Sequence, residues 1–117
     1  MREQNLTKGD GKNYLIVTEM YFNAFKEKNL KILSRLYSDD VELTDWTGAW
    51  YGKQSVLEAN KQLFENDFQL SVNSSLQLEN VTYNQITIRF ENEVIEVMDV
   101  IKFNSNFEIE SIRAYKG

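Results

Sequence analysis

The spacing of apolar residues changes character once along this chain, near Phe68, and that change limits the possible folds more than any other feature. From Phe68 to Leu78, Val81 to Glu91, Glu93 to Phe103 and Phe107 to Tyr115, apolar and polar residues alternate, with the turn pairs Glu79-Asn80, Glu91-Asn92 and Asn104-Ser105 between the runs. Strand side chains project to opposite faces in turn, so this half predicts a four-strand antiparallel meander with one buried face. Upstream the steps are three and four. Tyr14, Val17, Thr18, Tyr21 and Phe25, flanked by Leu15 and Phe22, form the stripe of a helix from Asn13 to about Lys28. Asn29 is placed to cap a second, shorter helix whose Leu30, Leu33, Leu36 and Tyr37 share a face until Ser38-Asp39-Asp40 interrupts it. Val41 to Trp46 alternates as a strand, Thr47 to Gly52 reads as a turn, and Lys53 to about Asn66 forms a third helix with Val56, Asn60 and Leu63 aligned. Helices followed by strands predict an α+β fold in which a curved antiparallel sheet wraps three N-terminal helices.

The 117 residues suit one domain, expected over 13–117, behind a disordered tail over 1–12. A formal net charge of -5 argues against a surface built to neutralise phosphates, so no nucleic-acid partner is expected. Met1 to Lys12 is polar and no later run is long enough to span a bilayer, which predicts a soluble cytoplasmic protein with no membrane partner. Cysteine and histidine are both absent. Disulfides, thiolate chemistry and Ser-His hydrolysis are thereby excluded, and a metal site would need carboxylates alone, so neither metal nor cofactor is expected. General acid–base chemistry is left to Asp, Glu, Lys and Tyr.

Two carboxylates sit where hydrocarbon is expected. Asp99 shares the parity of Ile95, Val97, Ile101 and Phe103, and Asp45 that of Val41 and Leu43. An ionised carboxylate removed from water without a partner costs several kcal/mol, roughly, so such a group is held neutral, tightly hydrogen-bonded, or both. Asp99 is therefore either a structural acid tied to a buried hydroxyl or amide, or part of a site. Tyr21 lies on the inward stripe of the first helix.

The segment Leu36-Tyr37-Ser38-Asp39-Asp40-Val41-Glu42-Leu43-Thr44-Asp45, with Val97-Met98-Asp99-Val100-Ile101-Lys102-Phe103 and Ile112-Arg113-Ala114-Tyr115, resembles the ketosteroid isomerases, the SnoaL-like proteins and nuclear transport factor two. The resemblance implies a cone-shaped α+β fold of the cystatin-like type. It places Asp45 at the proton-shuttling base, Tyr21 at the oxyanion-hole tyrosine, Asp99 at its protonated aspartic partner and Tyr37 in the same network. Departures from the isomerases imply a reshaped substrate site. Trp46 stands where proline is common, Asn60 replaces a network tyrosine, and Lys116 replaces an aromatic wall, where it could pair with Asp45 or meet an anionic ligand. Trp50 and Tyr51 could also line the pocket, and the implied ligand is a small apolar or carbonyl-containing molecule.

Two alternatives accompany this reading. One is a non-catalytic ligand-binding or dimeric scaffold module on the same fold. The other is a limonene-type epoxide hydrolase, which needs an arginine between two aspartates; of the candidates Arg89 and Arg113, Arg89 is out of phase with Ile86, Ile88 and Phe90. Chemistry of the scytalone dehydratase type needs histidine and is excluded. On the outward face of the sheet, Val94, Met98 and Val100 among Glu96 and Lys102 suggest a partner sheet, hence a homodimer.

Overall fold

A computed structural model of the chain describes residues 12–117, so the tail expected over 1–12 lies, apart from Lys12, outside the described residues. In chain order the elements are α1 (Leu15–Lys26), α2 (Leu30–Leu36), β1 (Tyr37–Asp45), β2 (Gly48–Tyr51), α3 (Lys53–Leu63), β3 (Gln69–Leu78), β4 (Val81–Arg89), β5 (Val94–Phe103) and β6 (Ile109–Lys116). The strands form one six-stranded sheet in the order β2-β1-β6-β5-β4-β3. Its concave face packs on the helices, giving the α+β architecture expected from the order of periodicities.

The four downstream runs form the meander, each pairing antiparallel with the next. β1 and β6, however, run parallel, so the sheet is mixed rather than wholly antiparallel. A hairpin must be antiparallel, but β1 and β6 are separated by most of the chain and nothing local sets their direction. Two further boundaries differ from the sequence reading. Tyr37 opens β1 instead of closing the second helix, and the segment read as a turn contains β2, which pairs with β1 from Glu42↔Tyr51 to Asp45↔Gly48. Four residues are too few for a period to show. Register breaks between Tyr37 and Glu42, Val72 and Ser74, and Lys102 and Phe103 bend the strands round the helices.

Local chemistry accounts for the helix ends. Asn29 caps α2 as its sequence position suggests, its Oδ1 accepting from Ile32 N at 3.0 Å. Gly52 precedes α3 at φ 91°, a conformation that glycine adopts without strain, and its N–H donates to Val41 O at 2.7 Å. The start of α1 is capped from across the fold. Gln77 of β3, 2% exposed, accepts from Tyr14 N and Leu15 N at 2.7 and 3.2 Å and donates to Lys12 O and Glu79 O at 2.7 and 3.1 Å. A Gln77→Leu exchange removes all four hydrogen bonds of this buried side chain, and a typical hydrogen bond contributes about 0.5–1.5 kcal/mol net. Urea unfolding is expected to show a loss of about 2 kcal/mol or more, and an unchanged midpoint would contradict this role.

Below that cap the core is continuous. Tyr14 stacks on Phe103 at 5.0 Å, and Leu33, Tyr37, Val41, Val56 and Ile109 are fully buried. On the outward face, Leu76, Tyr83 and Val100 lie in one register row and Met98 faces Tyr115, which extends the expected apolar patch. Tyr115 is 55% exposed and Val94 53%.

Candidate functional site

Between the concave sheet and the helices lies a cavity of about 410 Å³. Its walls are mostly hydrocarbon and aromatic, including Phe22, Phe25, Ile86, Phe90, Ile95 and Val97. Among these apolar walls it takes in Tyr21, Asp45, Asn60 and Asp99. These four come from α1, β1, α3 and β5. Each lies on the inward side of its element, which is why one cavity can collect them.

Asp99 sits in the middle of β5 opposite Asn84, whose Nδ2 donates to the Asp99 backbone carbonyl at 3.1 Å. The carboxyl group itself is buried and makes no hydrogen bond or ion pair with any described residue. Of the two possibilities open from sequence, the tied structural acid is therefore not what the structure contains. Burial, and after it the negative charge of Asp45, push the Asp99 carboxyl up to about 7.

Tyr21 and Tyr37 form a linked pair of phenols. Tyr21's hydroxyl hydrogen-bonds that of Tyr37, and Tyr37 donates to Asn60 Oδ1 at 2.6 Å. Burial raises Tyr21 well above the usual tyrosine range, with smaller contributions from Tyr37 and Asp99. Burial likewise raises Tyr37, with Asp99 next. Both phenols hold their protons at neutral pH and can only donate or accept hydrogen bonds as neutral groups. Tyr37 stands behind the cavity wall, supporting Tyr21 and Asn60 rather than facing the cavity.

Asp45 closes the β1–β2 hairpin. Its Oδ1 accepts from Thr47 N at 2.7 Å, Thr47 Oγ1 at 2.6 Å and Gly48 N at 3.2 Å. Three donors on one oxygen hold the carboxylate in a single orientation, and Oδ2 has no hydrogen bond to a described residue. Thr47 is a site residue that the sequence reading missed, although Asp45 followed by Thr47-Gly48 is a signature of an Asx turn. The signal was present and local.

At the rim, Trp46 lines the cavity while remaining 44% exposed, and Trp50 lines it from β2. Tyr51, next in the strand, points the other way and is 67% exposed. Lys116 corrects the reading made from sequence. It does not line the cavity or pair with Asp45; its Nζ lies 5.8 Å from the Trp46 ring centroid and 3.9 Å from Glu93 Oε2. Lys116 shares the parity of Ile112 and Ala114, but the strand has by then passed the cavity mouth. Arg89 and Arg113 are both exposed and away from the cavity, so the arginine that an epoxide hydrolase relay requires is missing from its described lining.

Among the described residues, no group of three or more acidic side chains converges as metal ligands. None of the described helices is long and apolar enough to cross a membrane.

Comparison with solved structures identifies the fold. An NTF2-like protein of unknown function from Mesorhizobium loti superposes with a TM-score of 0.84 at 7% identity, covering 95% of this chain and 98% of that one. The fold is the NTF2-like one. A SnoaL-like protein of unknown function from Burkholderia thailandensis matches with a TM-score of 0.77 at 13% identity over 89% of this chain and 93% of that one. A steroid delta-isomerase from Pseudomonas aeruginosa matches with a TM-score of 0.77 at 12% identity over 89% and 79%. No family model matches the sequence, and no curated protein does. At these identities the NTF2-like fold is what the chain shares with them, and function must be argued from the cavity.

Proposed function

We propose that the protein catalyses proton transfer at a carbon beside a carbonyl group, in a small and largely apolar substrate. One observation carries this reading: a carboxyl group buried in an open cavity with no partner among the described residues, beside a second carboxylate that is anchored by one oxygen only. A structural acid would have been given its hydrogen bonds by the fold. Asp99 is left to receive them from a ligand, or to donate one.

The roles follow from the two environments. Asp45, half-buried at the hairpin and ionised, takes the proton from the carbon through Oδ2. The C–H electron pair becomes the new carbon–carbon double bond, and the carbonyl electrons move onto oxygen. That oxygen accepts hydrogen bonds from the neutral Asp99 and from Tyr21, whose O–H turns from Tyr37 to the ligand. Asp45 then returns the proton to the same or a conjugated carbon. Ketosteroid isomerases divide the work in this way, with a neutral acid in the oxyanion hole and an ionised base beside it. The steroid delta-isomerase of Pseudomonas aeruginosa supports the reading by its fold.

Two measurements test it together. Incubated in D₂O with 2-tetralone, the protein is expected to exchange the α-protons of the ketone, and carbon NMR is expected to show Asp99 titrating near 7 and responding to an added phenol. Absence of exchange, with carboxyl titrations indifferent to the phenol, would overturn the catalytic reading in favour of a module without this chemistry.

We also propose that the outward apolar face pairs with a second copy of the chain. Its Leu76, Tyr83, Val100, Met98 and Tyr115 are contiguous in the sheet register, and apolar side chains in such a row gain by being covered. Sedimentation is expected to give twice the 13.8 kDa chain mass, shifting to the monomer on Tyr83→Lys. A monomer at high concentration would reject the pairing.

A further inference from the structure

We infer that Asn60 is a specificity-determining hydrogen-bond donor, and that the cavity takes a neutral ligand with two acceptor atoms, one for the Tyr21 and Asp99 donors and the other for the Asn60 amide. The inference rests on the proposed use of the cavity as a small-molecule site, and it adds a requirement on the ligand that proton transfer alone does not impose.

Asn60 is 4% exposed and shares the buried face of α3 with Val56. An apolar residue would serve packing there without leaving polar atoms to satisfy. The orientation of the amide is set by its neighbour. Tyr37 hydrogen-bonds Tyr21 and donates its own O–H to Asn60 Oδ1 at 2.6 Å, so the carbonyl end of the amide faces Tyr37. The Nδ2 end carries two N–H donors and has no partner among the described residues, in a side chain that lines the cavity. A buried N–H with no acceptor is a cost of folding that a ligand acceptor removes.

The charge of the ligand follows from the rest of the lining. Among the described residues no lysine or arginine lines the cavity, while Asp45 and Asp99 do. An anion would meet Asp45 with no compensating cation, so a neutral molecule is favoured. A second oxygen-bearing group on the ligand fits the Asn60 donors, whereas a plain hydrocarbon in its place leaves them unpaired. Sites built to hydrogen-bond a substrate group discriminate strongly against analogues lacking it, because their own polar atoms are then stranded.

The test compares 3- and 4-hydroxyacetophenone with 3- and 4-ethylphenol, which keep the phenol and the two-carbon side chain and lack the ketone acceptor. Affinities are measured by NMR shift titration on the wild type, N60L and N60D. The wild type is expected to favour at least one hydroxyacetophenone over its ethyl counterpart by about tenfold more than N60L does. N60D keeps an acceptor for Tyr37 and removes the amide donors, so it should lose the preference as N60L does. Equal preference ratios in all three proteins would overturn the inference while leaving the cavity reading intact. A preference lost in N60L but kept in N60D would assign the effect to the support of Tyr37, and would overturn it too. If none of the four phenols binds the wild type, the reading of the cavity fails first and this inference with it.

Discussion

Asp45→Asn is expected to slow α-proton exchange by about 10²–10⁴-fold, the usual contribution of a positioned general base. Asparagine keeps the shape of the side chain and can still accept from Thr47 and Gly48 through Oδ1, so the β1–β2 hairpin should survive. What disappears is the carboxylate that the proposed mechanism uses as the base. The loss should therefore appear in the rate of exchange while phenol affinity is held or raised, because a negative charge next to the ligand has been removed. Exchange in D₂O followed by proton NMR measures the first and shift titration the second. A variant that exchanges as fast as the wild type would show that the proton leaves by another route. The same substitution should also make the Asp99 carboxyl easier to ionise, since the charge of Asp45 is the second cause of its raised position.

Asp99→Asn is expected to change how the stability of the protein depends on pH. Burial raises the folded-state carboxyl from its ordinary 3.8 to about 7, so across that interval the folded chain holds a proton that the unfolded chain releases. Unfolding free energy must then fall as pH rises. The stabilisation is fully present below about 4 and is lost as pH passes through about 7, with a total on the order of 4 kcal/mol. Asparagine has no proton to lose. Urea unfolding at pH 4, 6 and 8 should therefore show the wild type losing ground to Asp99→Asn by that order of magnitude over the range. Parallel pH profiles for the two proteins would contradict the buried, unpartnered state of Asp99. The same titration predicts that exchange activity of the wild type declines above pH 7, when the acid that must donate to the enolate oxygen has ionised. In Asp99→Asn that decline should be absent, although the rate itself is lower because an amide is the weaker donor.

How much of this could be read from the residues differs between fold and site. The meander was legible because each of its strands is long enough for alternation to be distinct, and the helix stripes because aromatic and leucine side chains repeat along them. β2 was not legible, since Gly48 to Tyr51 is four residues long and owes its strand conformation to pairing with β1. Tyr37 falls in a different element from the one its spacing suggests for a related reason. Its apolar spacing continues the stripe of α2, and it is the β1–β6 pairing, with Ile109 opposite, that draws it into the sheet. Parity correctly turned Asp45 and Asp99 inward, but parity could not say how far along a strand the cavity extends, so Lys116, expected inside, lies at the rim.

Alternation and helical spacing, which are properties of neighbouring residues, were enough to establish the layer order and to point two acids and a tyrosine toward the interior. Tertiary structure alone decided that the Asp99 carboxyl would have no partner among the described residues, that Tyr37 would take the carbonyl end of the Asn60 amide, and that β1 would run parallel to β6. The reason is the range of the interactions. Each of these outcomes depends on atoms brought together from distant parts of the chain, where nothing in the local spacing specifies which groups meet and which are left unpaired.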